Sequence, residues 1–199
     1  MTQLISDKEF LAKAFKKLDL PSFCIENSVF EECVFDHCNL TSAHFLHCKF
    51  TECDFRYCNL SLMEISASRF HQVSFHECKL SGVDWTRAYW PTFNLDPGLH
   101  FNKSILTDAS FFGLKLPGVK MNECKLHEVD FRECDLAGAE ITECDLYGSL
   151  FNHTDLSAVD LTDSWDFRID VLNNSVAGAK FSRQEAVTLL ESLGIELVD

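Results

Sequence analysis

Every fifth residue of this chain is apolar across nearly its whole length, and that period constrains the fold more than any other feature. Counting from Leu20, the series Leu20, Ile25, Phe30, Phe35, Leu40, Phe45, Phe50, Phe55, Leu60 and Ile65 continues without a break to Leu95. It resumes one residue late at Phe101 and runs to Phe181. Of these 33 positions 32 are apolar, in a chain that is 46% apolar overall; Asp166 is the exception, with Trp165 and Phe167 at its flanks to fill the gap. A helix repeats every 3.6 residues and a strand every 2, so neither yields this pattern.

Calling the apolar residue i, position i−2 is Ser, Cys, Ala, Val or Thr at 25 of the 33 repeats. Residues two apart share one face of an extended strand, so i−2 and i both turn inward. Pro21, Pro91 and Pro117 fall at i+1, while Gly82, Gly113, Gly118, Gly138, Gly148 and Gly178 fall at i+2. Pro followed by Gly at the central positions is the chemistry of a type II turn. Each unit is therefore a short extended stretch plus a corner, and the chain is a solenoid in which each coil touches only its neighbours.

The pattern in Cys48-Lys49-Phe50, Cys53-Asp54-Phe55, Cys58-Asn59-Leu60 and Ala139-Glu140-Ile141 resembles the pentapeptide-repeat proteins. That resemblance implies an all-β, right-handed quadrilateral β-helix with four repeats per coil. About eight coils at about 4.8 Å give a rod of roughly 38 Å. The expected division is an N-terminal cap or irregular first coil over 1–19, the β-helix over 20–181 with a one-residue slip near 96–100, and a C-terminal segment over 182–199.

Nine of the ten cysteines (Cys33, Cys38, Cys48, Cys53, Cys58, Cys78, Cys124, Cys134 and Cys144) occupy i−2. That reads as packing, because free Cys behaves as a small buried hydrophobe. A metal site with His37, His44 and His47 is the alternative, but the Cys spacing is simply the repeat and spreads the thiols over different sides. Disulfides between stacked thiols are opposed by parallel side chains that point the same way. Free thiols are expected, with no metal and no cofactor.

Both ends need caps. Ser182-Arg183-Gln184-Glu185 reads as a capping box with Ser182 as N-cap, opening a helix that Gly194 stops. Ile195-Glu196-Leu197-Val198 reads as a last strand. Leu189, Leu190, Leu193, Ile195 and Leu197 are candidate dimer contacts, since helix and strand carry more apolar side chains than one coil end covers. At the other end Ser6-x-x-Glu9 would cap a helix, yet Phe10 and Phe15 keep the five-residue phase. Lys8 and Lys13 at i−2 argue against inward packing there, so an irregular first coil is expected.

The formal charge of −14 disfavours direct binding to nucleic acid or anionic lipid. No apolar run spans a membrane and no signal-peptide core opens the chain, so a cytoplasmic location is expected. Residues 120–170 hold 13 Asp or Glu and 4 Lys or Arg. With twenty residues per coil, Glu123, Glu143 and Asp163 stack along one edge, and Asp135 with Asp155 and Glu140 with Asp160 form parallel pairs. These are the candidate partner-binding residues. A solvated acidic face is the plainer reading.

No P-loop, GxSxG or HExxH occurs, and a regular solenoid offers no obvious pocket, so a binding protein is expected rather than an enzyme. Val83-Asp84-Trp85 through Trp90-Pro91, Gly118-Val119-Lys120-Met121 and Leu189-Leu190-Glu191-Ser192-Leu193-Gly194-Ile195-Glu196-Leu197 resemble the topoisomerase-protecting group, which includes Qnr-type and albicidin self-protection proteins, the latter most closely. What this implies is a homodimer, joined through its C-terminus, that mimics DNA, binds DNA gyrase or topoisomerase IV, and relieves antibiotic poisoning. A two-fold pair of such rods would reach beyond two turns of duplex at roughly 34 Å per turn. A scaffold with no gyrase role is the alternative. The chain departs from Qnr proteins in lacking their longer projecting loops, since only the one-residue slip at Pro97-Gly98 interrupts the repeats.

Overall fold

The computed structural model describes residues 4–91, 97–195 and 198. It is a β-solenoid of about eight turns, built from short parallel strands, with one short helix near its C-terminus. A nine-stranded parallel sheet forms one side, running from Ala14–Lys16 through Val34–Asp36, Asp54–Arg56, Val73–His76, Leu99–Asn102, Lys120–Asn122, Glu140–Thr142 and Asp160–Leu161 to Lys180–Phe181. The eight steps between nine strands give a stack of about 38 Å at about 4.8 Å each. Registers such as Phe35↔Phe55 and Met121↔Ile141 advance by twenty residues, so each coil has four sides of five residues.

We number the sides by their inward residues. The first carries Phe10, Phe30, Phe50 and Phe70, the second Phe15, Phe35, Phe55 and Phe75, the third Leu40, Leu60 and Leu80, the fourth Ile25, Phe45 and Ile65. Most i and i−2 residues form one continuous buried core. The residue at i+2 turns the corner with a positive φ, as at Glu52 (52°), Glu123 (51°) and Gly118 (74°). Its N–H donates to the next coil, for example Glu52 N to His71 O at 2.9 Å. That bond holds non-glycine residues in a conformation costing about 1 kcal/mol each.

The i−2 slot does more than pack. The Ser68 hydroxyl donates to Phe45 O at 2.7 Å and accepts from Cys48 N–H at 2.8 Å. Ser104, Ser149 and Ser164 repeat this pair of bonds. The Cys33 thiol donates to Phe10 O at 3.3 Å, and Cys38 N–H donates to the Cys58 sulfur at 3.3 Å. A small side chain with one donor and one acceptor thus satisfies backbone groups that the strand pairing leaves over. All ten cysteines are free thiols.

Four expectations change. Across the break the register moves by 26, as in Phe75↔Phe101 and Asp84↔Ser110, where a one-residue slip alone requires 21. The segment between Trp90 and Gly98 therefore holds a whole extra repeat as well as the slip; Leu95, expected inward, lies outside the described residues. The N-terminus is not irregular: Glu9–Leu11 and Ala14–Lys16 are strands of a regular coil, with Phe10 and Phe15 buried. Lys8 and Lys13 at i−2 are both exposed, with no coil beneath them among the described residues.

Near the C-terminus, a 3-10 turn at Glu185–Val187 leads into the helix Thr188–Glu191. Ser182 does not cap it. Its hydroxyl donates to Asp163 Oδ1 at 2.9 Å and accepts from Asp163 N–H at 2.8 Å, tying the segment to the coil beneath. Gly194 follows the helix with φ +70°, and Glu196 and Leu197 of the expected strand lie outside the described residues. At the Asp166 exception Phe167 fills the core, while Trp165 points outward and is 42% exposed. No helix among the described residues is long and apolar enough to cross a membrane.

Candidate functional site

The fold turns i−1, i+1 and i+2 outward, and the twenty-residue step stacks equivalent positions into columns. Glu123, Glu143 and Asp163 all occupy i+2 at the corner after the second side, with φ of 51°, 54° and 58°. Their N–H groups are held by Thr142 O, Thr162 O and the Ser182 hydroxyl, so each carboxylate leaves the corner outward. With Asp145, Lys125 and Trp165 from the third side they line an open recess of about 580 Å³. The expected column is therefore assembled.

Its charge is only partly free. Lys103 Nζ lies 3.3 Å from Glu123 Oε2, and His127 Nε2 lies 2.6 Å from Asp145 Oδ2. The Glu140/Asp160 pair is adjacent as expected, but Lys120 bonds Glu140 at 2.8 Å and Lys180 bonds Asp160 at 2.9 Å. This column reads Lys120, Glu140, Asp160, Lys180, and its charges cancel. The Thr162 hydroxyl and Lys180 hold the Asp160 carboxyl below the usual carboxylate range. Arg132 does the same to Asp130 through a bidentate contact at 2.8 and 2.9 Å.

Asp135 and Asp155 also stack as expected, and each accepts the N–H two residues on, from Ala137 at 3.1 Å and Ser157 at 2.9 Å. Among the described residues no Lys, Arg or His pairs with Asp135, Asp155, Glu143 or Asp163. The acidic surface that remains open is thus smaller than the sequence suggested. It centres on Glu143 and Asp163 at one corner and on Asp135 and Asp155 on the first side.

The buried thiols are poor nucleophiles. Burial pushes Cys48 up to about 11 and Cys53 up to about 12, so both stay protonated near neutral pH. At the C-terminal end the candidate contact residues divide. Leu189 packs against the core and Leu190 is half-buried, while Leu193 and Ile195 are exposed; Leu197 lies outside the described residues. Leu172, Val187 and Val198 add exposed apolar surface near this end. Leu172 escaped notice because it sits at an outward i+1 position, where side-chain type is free.

A family model described as "Pentapeptide repeat region" matches residues 28–97 and 95–161. No curated protein matches the chain. Among solved structures, a trypsin-treated form of QnrB1, described as a plasmid-mediated fluoroquinolone resistance protein, is similar at 21% identity and a TM-score of 0.55. That alignment covers 98% of this chain and 99% of the other, and it bears on the fold. HetL, a pentapeptide repeat protein involved in heterocyst differentiation regulation in the cyanobacterium Nostoc, aligns at 16% identity and a TM-score of 0.44, over 88% of this chain and 84% of its own.

Proposed function

The chain belongs to the pentapeptide-repeat family, and on that premise we propose that it is a DNA-mimicking protein that binds DNA gyrase or topoisomerase IV and protects it from a topoisomerase-poisoning antibiotic. The observation that carries this reading is the corner column of Glu123, Glu143 and Asp163 on a rigid rod of about 38 Å, with neither Glu143 nor Asp163 in an ion pair among the described residues. Carboxylates stacked about 4.8 Å apart repel one another, so they lower stability unless a basic partner covers them. A protein surface built to hold DNA is such a partner.

Three further points support it. The residues from Val83 to Pro91 and from Leu189 to Leu197 resemble the topoisomerase-protecting group. QnrB1, which shares the fold, is described as a fluoroquinolone resistance protein. The exposed Leu172, Val187, Leu193 and Ile195 supply an apolar end through which two rods join. One observation favours the second reading, a scaffold with no gyrase role: the cancelled column of Lys120, Glu140, Asp160 and Lys180 is what a solvated face looks like.

A supercoiling assay with purified gyrase, with and without a gyrase poison, separates the two. The proposed function requires supercoiling to change on titration with the protein or the poison to lose potency. Replacing Glu123 and Glu143 with Lys should abolish the effect, while replacing Glu140 with Gln should leave it in place. No effect of the wild-type protein in either arm leaves the scaffold reading.

A further inference from the structure

In its last coil the third side departs from the repeat. Ser164 and Phe167 both point into the core, with two outward residues between them where the repeat ordinarily has one. Phe167 fills the place that Asp166 leaves, so the core does not use Trp165, which is 42% exposed. The backbone of Trp165 is regular: its N–H donates to Cys144 O and its carbonyl accepts from Leu146 N–H, both at 3.0 Å. At the same outward position the described coils below carry polar side chains, except for Ile105. Neither packing nor the repeat accounts for an indole here.

That indole borders the open recess of about 580 Å³ that Glu123, Glu143 and Asp163 line from the adjoining corner. Lys103 pairs with Glu123 and His127 with Asp145, but Lys125, Glu143 and Asp163 are in no ion pair among the described residues. Asp163 accepts from the Ser182 hydroxyl through Oδ1, which leaves Oδ2 open to the recess side. Two unpaired carboxylates against one unpaired ammonium leave a single negative charge uncompensated. An aromatic face and that uncompensated charge attract the same kind of group, a cation.

We propose that the recess is an arginine subsite, taking one arginine side chain from the surface of a partner protein. The guanidinium lies on the Trp165 ring and directs its N–H groups to Glu143 and Asp163. Arginine suits both features at once, because its planar fork bonds carboxylates and its face stacks on an aromatic ring. A lysine ammonium is a compact, strongly hydrated charge that would use the carboxylates and gain less from the ring. The recess is open, so it does not enclose a small molecule, but it admits a side chain projecting from a flat surface. The proposal rests on the topoisomerase reading only for which protein carries the arginine.

The test uses the full chain and two fluorescently labelled peptides, hexa-arginine and hexa-lysine, with affinities read by anisotropy. The wild type should bind hexa-arginine more tightly. Trp165→Ser should weaken hexa-arginine binding about fivefold and hexa-lysine binding by less than about twofold. Trp165→Phe should keep part of the arginine preference, since a smaller ring still offers a face. Glu143→Gln should weaken both peptides. Equal losses for the two peptides in Trp165→Ser, or no loss, overturn the proposal and leave an undirected acidic face. Should Trp165→Ser melt below the wild type, Trp165→Phe carries the comparison, and an arginine preference that does not fall there overturns the proposal equally.

No topoisomerase enters that measurement, so the two readings fail separately. If the peptides behave as expected while gyrase ignores the wild-type protein, the subsite stands and the gyrase reading falls. If gyrase responds and Trp165→Ser is as potent as the wild type, the subsite falls alone.

Discussion

The coils before the 26-residue step and those after it share one backbone but are stabilised differently. Before it, the first and second sides are filled with phenylalanine, and rings in successive coils stack at 4.8 Å for Phe30–Phe50, 4.5 Å for Phe35–Phe55 and 5.1 Å for Phe50–Phe70. Those separations match the spacing of hydrogen-bonded strands, so the ring ladder and the backbone ladder reinforce each other. After it, Leu116, Met121, Leu136 and Ile141 occupy the same sides, and rings persist mainly on the fourth side, at 5.5 Å for Phe111–Phe131. The corners change in parallel. Glu32, His37, Glu52, Tyr57 and Glu77 hold positive φ in the first half, whereas Gly113, Gly118, Gly138, Gly148 and Gly178 take about a third of the corners in the second, where Glu123, Glu128, Glu133, Glu143 and Asp163 still hold positive φ. The first half tolerates strained corners nearly throughout and offsets them with aromatic packing; the second half relieves some of its corners with glycine and manages with a lighter core.

The largest expected effect tests the aromatic term. Phe50 touches Phe30, Phe70 and Phe45, the last edge-on at 5.4 Å, and is fully buried. Phe50→Ala should cost about 4 kcal/mol, against about 3 kcal/mol for Leu136→Ala at the equivalent place in the second half. Because stability in a solenoid is local, hydrogen exchange should show the loss concentrated in the two coils flanking each site. Equal costs at the two positions, or a larger one at Leu136, would break the contrast between the halves.

A smaller effect asks what the halves share. Ser68 in the first and Ser164 in the second each bond a carbonyl and an N–H of the coil beneath. Alanine at either position should cost about 2 kcal/mol in chemical denaturation, since it leaves two buried backbone groups unpaired. Ser68→Cys should cost well under half as much, because a thiol serves the same two groups in the Cys58 slot. If alanine costs no more than cysteine, the slot selects for size alone and its hydrogen bonds are incidental.

That slot marks where reading the sequence stopped short. The preference for Ser, Thr, Cys, Ala and Val showed that i−2 is inward and small, but the backbone groups it serves become visible only once the coils are stacked. The period itself was fully legible, because 32 apolar residues in phase admit no helix or flat sheet. The extra repeat before Gly98 was not, since Leu95 keeps the five-residue phase and a repeat looks the same whether or not it belongs to a coil. Ser182 shows the same limit: its spacing to Glu185 mimics a capping box, while its real partner, Asp163, lies one coil away. The acidic columns followed from twenty-residue arithmetic. Lys120 and Lys180 follow from that arithmetic too, each twenty residues from the carboxylate it neutralises, and counting carboxylates alone hid them.

The smallest expected effect sharpens the comparison at its corners. At Gly138 φ is +66° and an added Cβ would meet nothing within 4 Å, so Gly138→Ala isolates backbone strain from crowding. It should cost about 1 kcal/mol, and Gly138→Asn less, because Asn tolerates the left-handed region. Glu52→Gly makes the reverse exchange in the first half, where φ is 52°. The strain released there, about 1 kcal/mol, is partly offset by the greater freedom glycine gives the unfolded chain, leaving a gain of about 0.5 kcal/mol. Thermal denaturation of the pair reads both signs. A loss of stability in Glu52→Gly would mean that the charged corner side chains of the first half hold the fold as well as decorate it, and the division of labour between rings and glycines would have to be redrawn.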